Sequence, residues 1–385
     1  MTPPERKHAV ARKALRRLRE LNTSALETTG GSPPDLRDIR IKSSIDIARA
    51  RFRKISERAA VPGQQLADAQ KKVLEDAEAA LKRLASDGDT AEVTQDQEIA
   101  LEAIIVADGT RPALFVQDED VDPTAEQTGA WQAQIAALRP GIAKVASSVG
   151  RIDSQIGFPN YAGTGFVVAD GLILTNRHVL EALVGGPDPQ LDGTWKFLQP
   201  ASIDFAGEFE RERKKSFKIT GVAFASPDRI RRQLVLSNLD VALLKVETHN
   251  GSESLPAPLA LSRRMGAVNV DAQVYAIGYP GRPFNEVAEV LMQVFQDEYF
   301  VKRFAPGYVD RSPDDVSDGG HKRVFTHDAS TLGGNSGSCL IEFSGEGRDV
   351  VGLHFGGIAR TENYSHSLAR LERVFADNGV QVEYR

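Results

Sequence analysis

From about residue 146 the chain becomes a succession of short β-type runs broken by Gly, Pro and Asp. This pattern constrains the fold more than any other feature. The runs are Gly165–Ala169, Leu172–Thr175, Ser216–Val222, Val241–Val246, Gln273–Ile277, Val324–His327, Cys339–Ile341 and Val350–Leu353. Most are rich in β-branched or aromatic residues, and all are too short for a core helix. Many short strands with turn signals between them close into barrels or stack as a sandwich. A helical pattern follows at Ser367–Asn378. The β-rich domain is therefore expected to span 146–385.

The part before it reads differently. Residues 1–60 carry about +8 and residues 61–126 about −11 by side-chain count. Apolar spacing predicts helices over Glu5–Leu21, Ser44–Arg58 and Gln64–Leu84, with breaks at Gly30–Pro34 and Ser86-Asp87-Gly88. Residues 1–95 are thus an expected helical module. Residues 96–145 are an expected connector, with short strands at Leu101–Val106 and Pro112–Val116 about a turn at Asp108-Gly109. An exposed acidic loop at Gln117–Asp122 and a short helix at Trp131–Leu138 complete it. Basic helices can serve nucleic acid, but no aromatic side chains interleave with the basic ones. Pairing with the acidic segment is the simpler expectation, which argues against a nucleic-acid role.

Composition narrows the setting. A chain of 385 residues allows two domains, or one large domain with an extension. Its single cysteine, Cys339, excludes an internal disulfide, so no oxidising compartment is needed. No apolar run is long enough to span a bilayer, and the basic N-terminal stretch lacks the apolar segment of a secretory signal. The expectation is a cytoplasmic protein without membrane contact. No Cys/His cluster has zinc-ligand spacing, so neither a metal nor another cofactor is expected. His327 is expected to pack against or cap the loop that follows it, and His8, His249, His321 and His366 to be exposed or in loops. Cys339 is expected to be a small buried core residue.

Three stretches could carry chemistry. Ser330-Thr331-Leu332-Gly333-Gly334-Asn335-Ser336-Gly337-Ser338 is too rich in glycine for a helix or strand. It reads as a tight loop exposing the Ser336 hydroxyl, with the N–H groups of Gly334 and Ser336 free to converge on one spot as an oxyanion hole requires. Residues 163–178 read as a hairpin turning at Asp170-Gly171, then a polar corner, Thr175-Asn176-Arg177-His178, that presents His178. Asn238-Leu239-Asp240-Val241-Ala242-Leu243-Leu244 puts a carboxylate at the mouth of an apolar strand, where it is costly unless bonded. Each alone has a bland reading: a glycine-serine loop, a structural histidine, a turn cap. Together they run His, Asp, Ser along the chain, at 178, 240 and 336.

These stretches resemble the chymotrypsin-like serine peptidases, whose triad residues occur in that chain order. The resemblance covers about 146–375. It implies a mainly β fold of two six-stranded antiparallel barrels, here with an N-terminal α-helical extension. It implies a serine endopeptidase in which His178, Asp240 and Ser336 form the triad and Gly334 and Ser336 the oxyanion hole. Within the family the sequence is most similar to bacterial glutamyl endopeptidases, through the 330–338 string, Gly352-Leu353-His354-Phe355-Gly356-Gly357 and Ala276-Ile277-Gly278-Tyr279-Pro280-Gly281. That likeness implies a primary pocket lined by Ser330, Thr331 and His354, flanked by Gly356, for an acidic side chain. The implied partner is a protein or peptide substrate, with residues 1–95 available to a regulator or target. The alternatives are a catalytically latent scaffold on the same fold and nucleic-acid binding by the basic helices. Asn335 stands where many chymotrypsin relatives place an aspartate that pairs with a newly cut N-terminus. In glutamyl endopeptidases a free terminal amine helps hold the guest, which here would require cleavage near Gln117–Asp122.

Overall fold

The computed structural model describes residues 11, 14–16, 41–42, 44–46, 48–50, 63–88, 91–94, 96–97, 100–101, 110–154, 160–184, 188–190, 193–230, 234–282, 294–358 and 362–385. They fall into two compact units. One comprises 1–111 with 286–297 and 359–361, and the other the remainder.

The first unit is helical where described. Helix α1 (Gly63–Asp87) buries Leu74, Ala77, Ala80, Leu81 and Leu84 along one stripe. Ala11, Ala14, Ile41, Ile45 and Ala48 belong to the same apolar cluster. Lys71–Glu75, Lys72–Asp76 and Glu78–Lys82 pair one turn apart on its wet face. The helix stops at Gly88, whose φ of +71° suits a glycine terminator. Thr94 and Gln97 exchange side-chain bonds with each other's N–H groups and cap the next helical turn. Most of the helices expected at Glu5–Leu21 and Ser44–Arg58, the break at Gly30–Pro34 and the turn at Asp108-Gly109 lie outside the described residues. Of the strand expected at Leu101–Val106, Leu101 itself is helical and the rest lies outside them.

The second unit holds two closed antiparallel barrels of six strands. The first is built from β2 (Val149–Ser154), β3 (Tyr161–Ala169), β4 (Leu172–Thr175), β5 (Ala201–Asp204), β6 (Ser216–Ala225) and β7 (Ala242–Val246), in the order β2-β3-β4-β7-β6-β5. Helix α3 (Arg177–Leu183) leaves β4 at the polar corner. The second barrel is built from β8 (Gln273–Gly278), β9 (Arg303–Arg311), β10 (Val324–His327), β11 (Cys339–Glu342), β12 (Val350–Ile358) and β13 (Glu362–Ser367), in the order β9-β8-β11-β12-β13-β10, with β10 closing on β9. Closure leaves no free sheet edge within either barrel. A turn at Leu368–Arg370 and helix α4 (Glu372–Asp377) follow β13.

Residues 112–148 are built into this unit rather than standing apart as a connector. Strand β1 (Leu114–Phe115) pairs with β9. Helix α2 (Gln132–Ser148) runs ten residues past the expected end at Leu138. The helix continues through Pro140, and at Gly141 its backbone lies against the Glu346 carbonyl, in a place a Cβ would occupy. Trp131 packs between Tyr308 and Phe343 at 5.2 and 5.6 Å. The acidic loop is also fastened: Gln117 and Asp120 exchange backbone bonds, Asp120 holds Arg139, Asp118 holds Arg211, and Glu208 accepts the Glu119 N–H. Of its residues only Asp118 and Asp122 are exposed. The loop is thus fastened to this unit rather than fully exposed as expected.

Candidate active site

The corner after β4 is stiffened from below. Thr175 donates its hydroxyl to the Thr164 carbonyl at 2.7 Å, and the buried Asn176 donates its side-chain amide to the Asp240 carbonyl at 2.9 Å. Arg177 is buried, bonded to Glu181 and the Ser226 carbonyl, and lies over the Trp195 ring at 4.9 Å. His178 then faces outward with its side chain one-third exposed, while its N–H donates to Asp240 Oδ1 at 2.9 Å. Its ring Nδ1 meets Asp240 Oδ2 at 2.6 Å. Burial pulls the His178 pKa down, but the Asp240 charge and hydrogen bond, aided by Glu181, outweigh it and raise the value above that of an ordinary histidine.

Asp240 is buried just ahead of β7, where no strand yet offers its main chain a partner. Its carbonyl takes Asn176, its carboxylate takes His178, and its N–H donates to Nε2 of His366 on β13 at 3.0 Å. His366 is fully buried, not exposed or in a loop as its polar surroundings suggested.

The serine loop is shaped by glycine. Gly334 and Gly337 have φ of +97° and +89°, and a Cβ on either would overlap Tyr161 Oη or the Thr164 carbonyl. Thr164 sets the loop against β3: its Oγ1 donates to the Gly334 carbonyl at 3.0 Å and its N–H to the Ser336 carbonyl at 2.8 Å. The position a Cβ would take on Gly163 lies 3.0 Å from that carbonyl and 2.8 Å from Val179, the residue after His178. The half-buried Ser336 therefore sits beside the histidine corner.

The loop's carbonyls are turned inward. That of Gly333 accepts the Gly281 N–H at 2.6 Å and the Tyr161 hydroxyl at 3.3 Å, and that of Asn335 accepts the Ser338 N–H at 2.8 Å. Each trans peptide points its N–H opposite to its carbonyl, so the N–H groups of Gly334 and Ser336 face away from these partners.

His354 follows directly. Gly337 donates to its carbonyl and its N–H donates to the Ser338 carbonyl, both at 2.9 Å. Its Nδ1 lies 3.3 Å from Nε2 of His327 on β10, and both rings are buried. Burial, then the nearby His178 charge, push the His354 pKa down to about 3. Thr331 donates to Asn363 Oδ1 at 2.7 Å, and Asn363 stands opposite Gly357, one residue past Gly356. Ser330 opens the same segment, half-buried. The structure thus joins His178 to Asp240 and sets His354 against the loop of Gly334 and Ser336, with Thr331 on Asn363 and Gly356 next along the paired strand. Sequence reasoning missed Thr164, Tyr161, Asn176 and His366. In the sequence Thr164 and Asn176 sit inside the 163–178 stretch without a role, His366 reads as exposed or in a loop, and Tyr161 lies just outside that stretch. Among the described residues no cluster could hold a metal ion, and no helix is long and apolar enough to cross a membrane.

Comparison with known proteins agrees with this architecture. The family profile described as "Trypsin-like peptidase domain" matches residues 163–353. A probable serine protease of Lysobacter enzymogenes is 32% identical over 295 residues, covering 71% of this chain and 74% of its own. A glutamyl endopeptidase of Staphylococcus epidermidis is 24% identical over 225 residues, covering 57% of this chain and 62% of its own. Among solved structures, the active form of the Rv3671c protease from M. tuberculosis is 21% identical, with a TM-score of 0.39, covering 63% of this chain and 86% of that one. With two closed six-stranded barrels and a relative of 32% identity along most of both chains, the protein belongs to the trypsin-like serine peptidase family.

Proposed function

We propose that the protein is a serine endopeptidase in which Ser336 attacks the scissile carbonyl, His178 takes the proton and returns it to the leaving amine, and Asp240 fixes the imidazole. The observation that carries this reading is the double link between His178 and Asp240: main-chain N–H to Oδ1 and ring Nδ1 to Oδ2. With Nδ1–H given to the carboxylate, Nε2 is left as the base on the open side of the ring. The N–H groups of Gly334 and Ser336, turned away from the loop's internal bonds, receive the oxyanion, each contributing about 3–4 kcal/mol to the transition state. Because His178 must be neutral to act, its raised pKa places the acid limb of kcat/KM above about pH 6.5. A fluorophosphonate that labels Ser336, together with a casein digest whose new termini are sequenced, tests the reading. A wild-type protein that neither labels nor cuts would favour the scaffold alternative.

The same site suits an acidic residue on the acyl side of the cut. His327 Nε2–H donating to His354 Nδ1 leaves His354 Nε2–H for a guest carboxylate, with Thr331 and Gly356 beside it. The Staphylococcus relative's name, glutamyl endopeptidase, favours this choice. The expected result of His354→Leu is at least about a tenfold loss of kcat/KM on a Glu-terminated acyl group, with smaller change on an Ala one. Equal losses on both would remove the acidic preference. The helical unit is assigned to binding a regulator or target, in the cytoplasm.

A further inference from the structure

We propose that His366 is a positioning residue for the triad carboxylate, gripping the main chain of Asp240 from the second barrel. The proposal rests on the triad reading above. Asp240 belongs to the segment entering β7 of the first barrel, whose ladder starts at Ala242 opposite Thr175. The Asp240 N–H thus lies ahead of the first ladder bond and is buried, where an unpaired donor is costly. The side-chain bonds to its carbonyl and carboxylate come from Asn176 and His178, two residues of one turn. Together with the bonds of its neighbours, Leu239 to Asp228 and Ser226 and the Val241 carbonyl to Ser226, they tie Asp240 within the first barrel only. Nε2 of His366, at 3.0 Å, anchors the segment to a different barrel.

The ring is itself held rigidly. His366 lies on β13 between β10 and β12, opposite Val324 on one side and Leu353 on the other. Its imidazole stacks on Phe355 with centroids 4.3 Å apart and planes at 18°. Because Nε2 accepts a proton donor, the ring's own proton is on Nδ1. That atom is buried without a hydrogen-bond partner among the described residues. Mere core filling does not account for such a ring, since an apolar side chain there would bury no unpaired polar atom. The acceptor at Nε2 does account for it. Burial pushes the His366 pKa down to about 4, with the Asp240 charge opposing, Arg323 reinforcing, and Asp318 and Asp228 opposing. His366 therefore stays neutral, and an acceptor, across the pH range where the triad works.

The test uses the full chain and a peptide it cuts. His366→Leu is expected to lower kcat about 10- to 100-fold with KM within about twofold of wild type, as a shifted catalytic group does. Since the Asp240 interaction is what raises the His178 pKa, the acid limb should also move to lower pH, toward about 6.5. His366→Gln can place Oε1 where Nε2 stood. It should keep the wild-type pH profile and most of kcat, whereas His366→Asn, one methylene shorter, should behave like Leu. A Leu variant with unchanged kcat and acid limb overturns the proposal. If the Leu variant does not fold, Gln against Asn at matched thermal midpoints decides, and equal activity in those two overturns it. If instead Ser336→Ala keeps wild-type turnover, the triad reading itself fails, whatever His366 does.

Discussion

Ser336→Ala is expected to lower peptide hydrolysis by about 10⁶-fold and to abolish fluorophosphonate labelling while leaving the thermal midpoint within about 2 °C. The size of the first effect follows from the division of labour in the site. On the proposed triad, no acyl-enzyme would form without the hydroxyl, and only transition-state binding by the oxyanion donors and substrate groove would remain. The absence of a stability effect follows from how the loop is held. Around the serine its bonds are main-chain ones: Thr164 N–H to the Ser336 carbonyl, Gly337 N–H to His354, and Ser338 N–H to Asn335. The Ser336 side chain is half-buried and takes no part in them. Asp240→Asn should cost less, about 10⁴-fold, because the base survives in the wrong tautomer. It should also shift the acid limb down, since the charge that raises the His178 pKa is gone. Rates from both purified variants on one quenched peptide across pH, with probe labelling and calorimetry on each, check these outcomes. An Ala variant that still labels would place the nucleophile elsewhere.

Much of this was legible because catalysis needs particular residue types at particular corners. A nucleophile loop must be glycine-rich to turn sharply, and the glycines at 334 and 337 do occupy left-handed conformations. Strands bounded by turn signals were legible too: Leu172–Thr175 and Val324–His327 run as expected. The strands that escaped were those whose side chains contradict the usual β signal. β9 carries Pro306-Gly307 at its centre, a turn signature. There Gly307 admits the Ala329 backbone, which stands 2.5 Å from where a Cβ would lie. β13, Glu362-Asn363-Tyr364-Ser365-His366-Ser367, has no aliphatic residue at all, yet nearly all of it is buried. Apart from Ser365 Oγ and His366 Nδ1, its buried polar groups find partners far away in the chain, among them Arg311 on Glu362 at 2.7 Å, Thr331 on Asn363, and Asp240 on His366. Local pattern cannot reveal such a strand, because what makes burial affordable lies elsewhere. For the same reason His366 looked like a surface residue.

The largest stability effect is expected at Lys302, a residue outside the chemistry. Its side chain is fully buried, and Nζ donates to the carbonyls of Ala146 and Phe205 at 2.7 Å each and reaches Glu208 Oε1 at 3.5 Å. It thus ties the end of α2, the chain leaving β5 and the start of β9. Lys302→Met strands two carbonyls and a buried carboxylate, so unfolding should become easier by about 3–5 kcal/mol. Lys302→Met with Glu208→Leu should recover part of that, since no uncompensated charge remains. The pH dependence gives an independent readout. Burial pushes the Lys302 pKa down to about 8, with Glu208 and Glu119 opposing, whereas in the unfolded chain it lies near 10.4. Between those values the unfolded state binds more protons. Lys302 therefore makes stability rise with pH from about 8 to about 10, by up to about 1.4 kcal/mol per pH unit. The Cys339 thiol, pushed up to about 12 by burial, acts in the opposite direction: its contribution is present below about pH 9 and is lost as pH rises. Subtracting the Lys302→Met urea midpoints from those of the wild type, pH by pH, cancels Cys339 and leaves the lysine. A flat difference across that window would mean that Lys302 keeps an ordinary pKa in the folded protein, and that its three acceptors offset the whole cost of burying its charge.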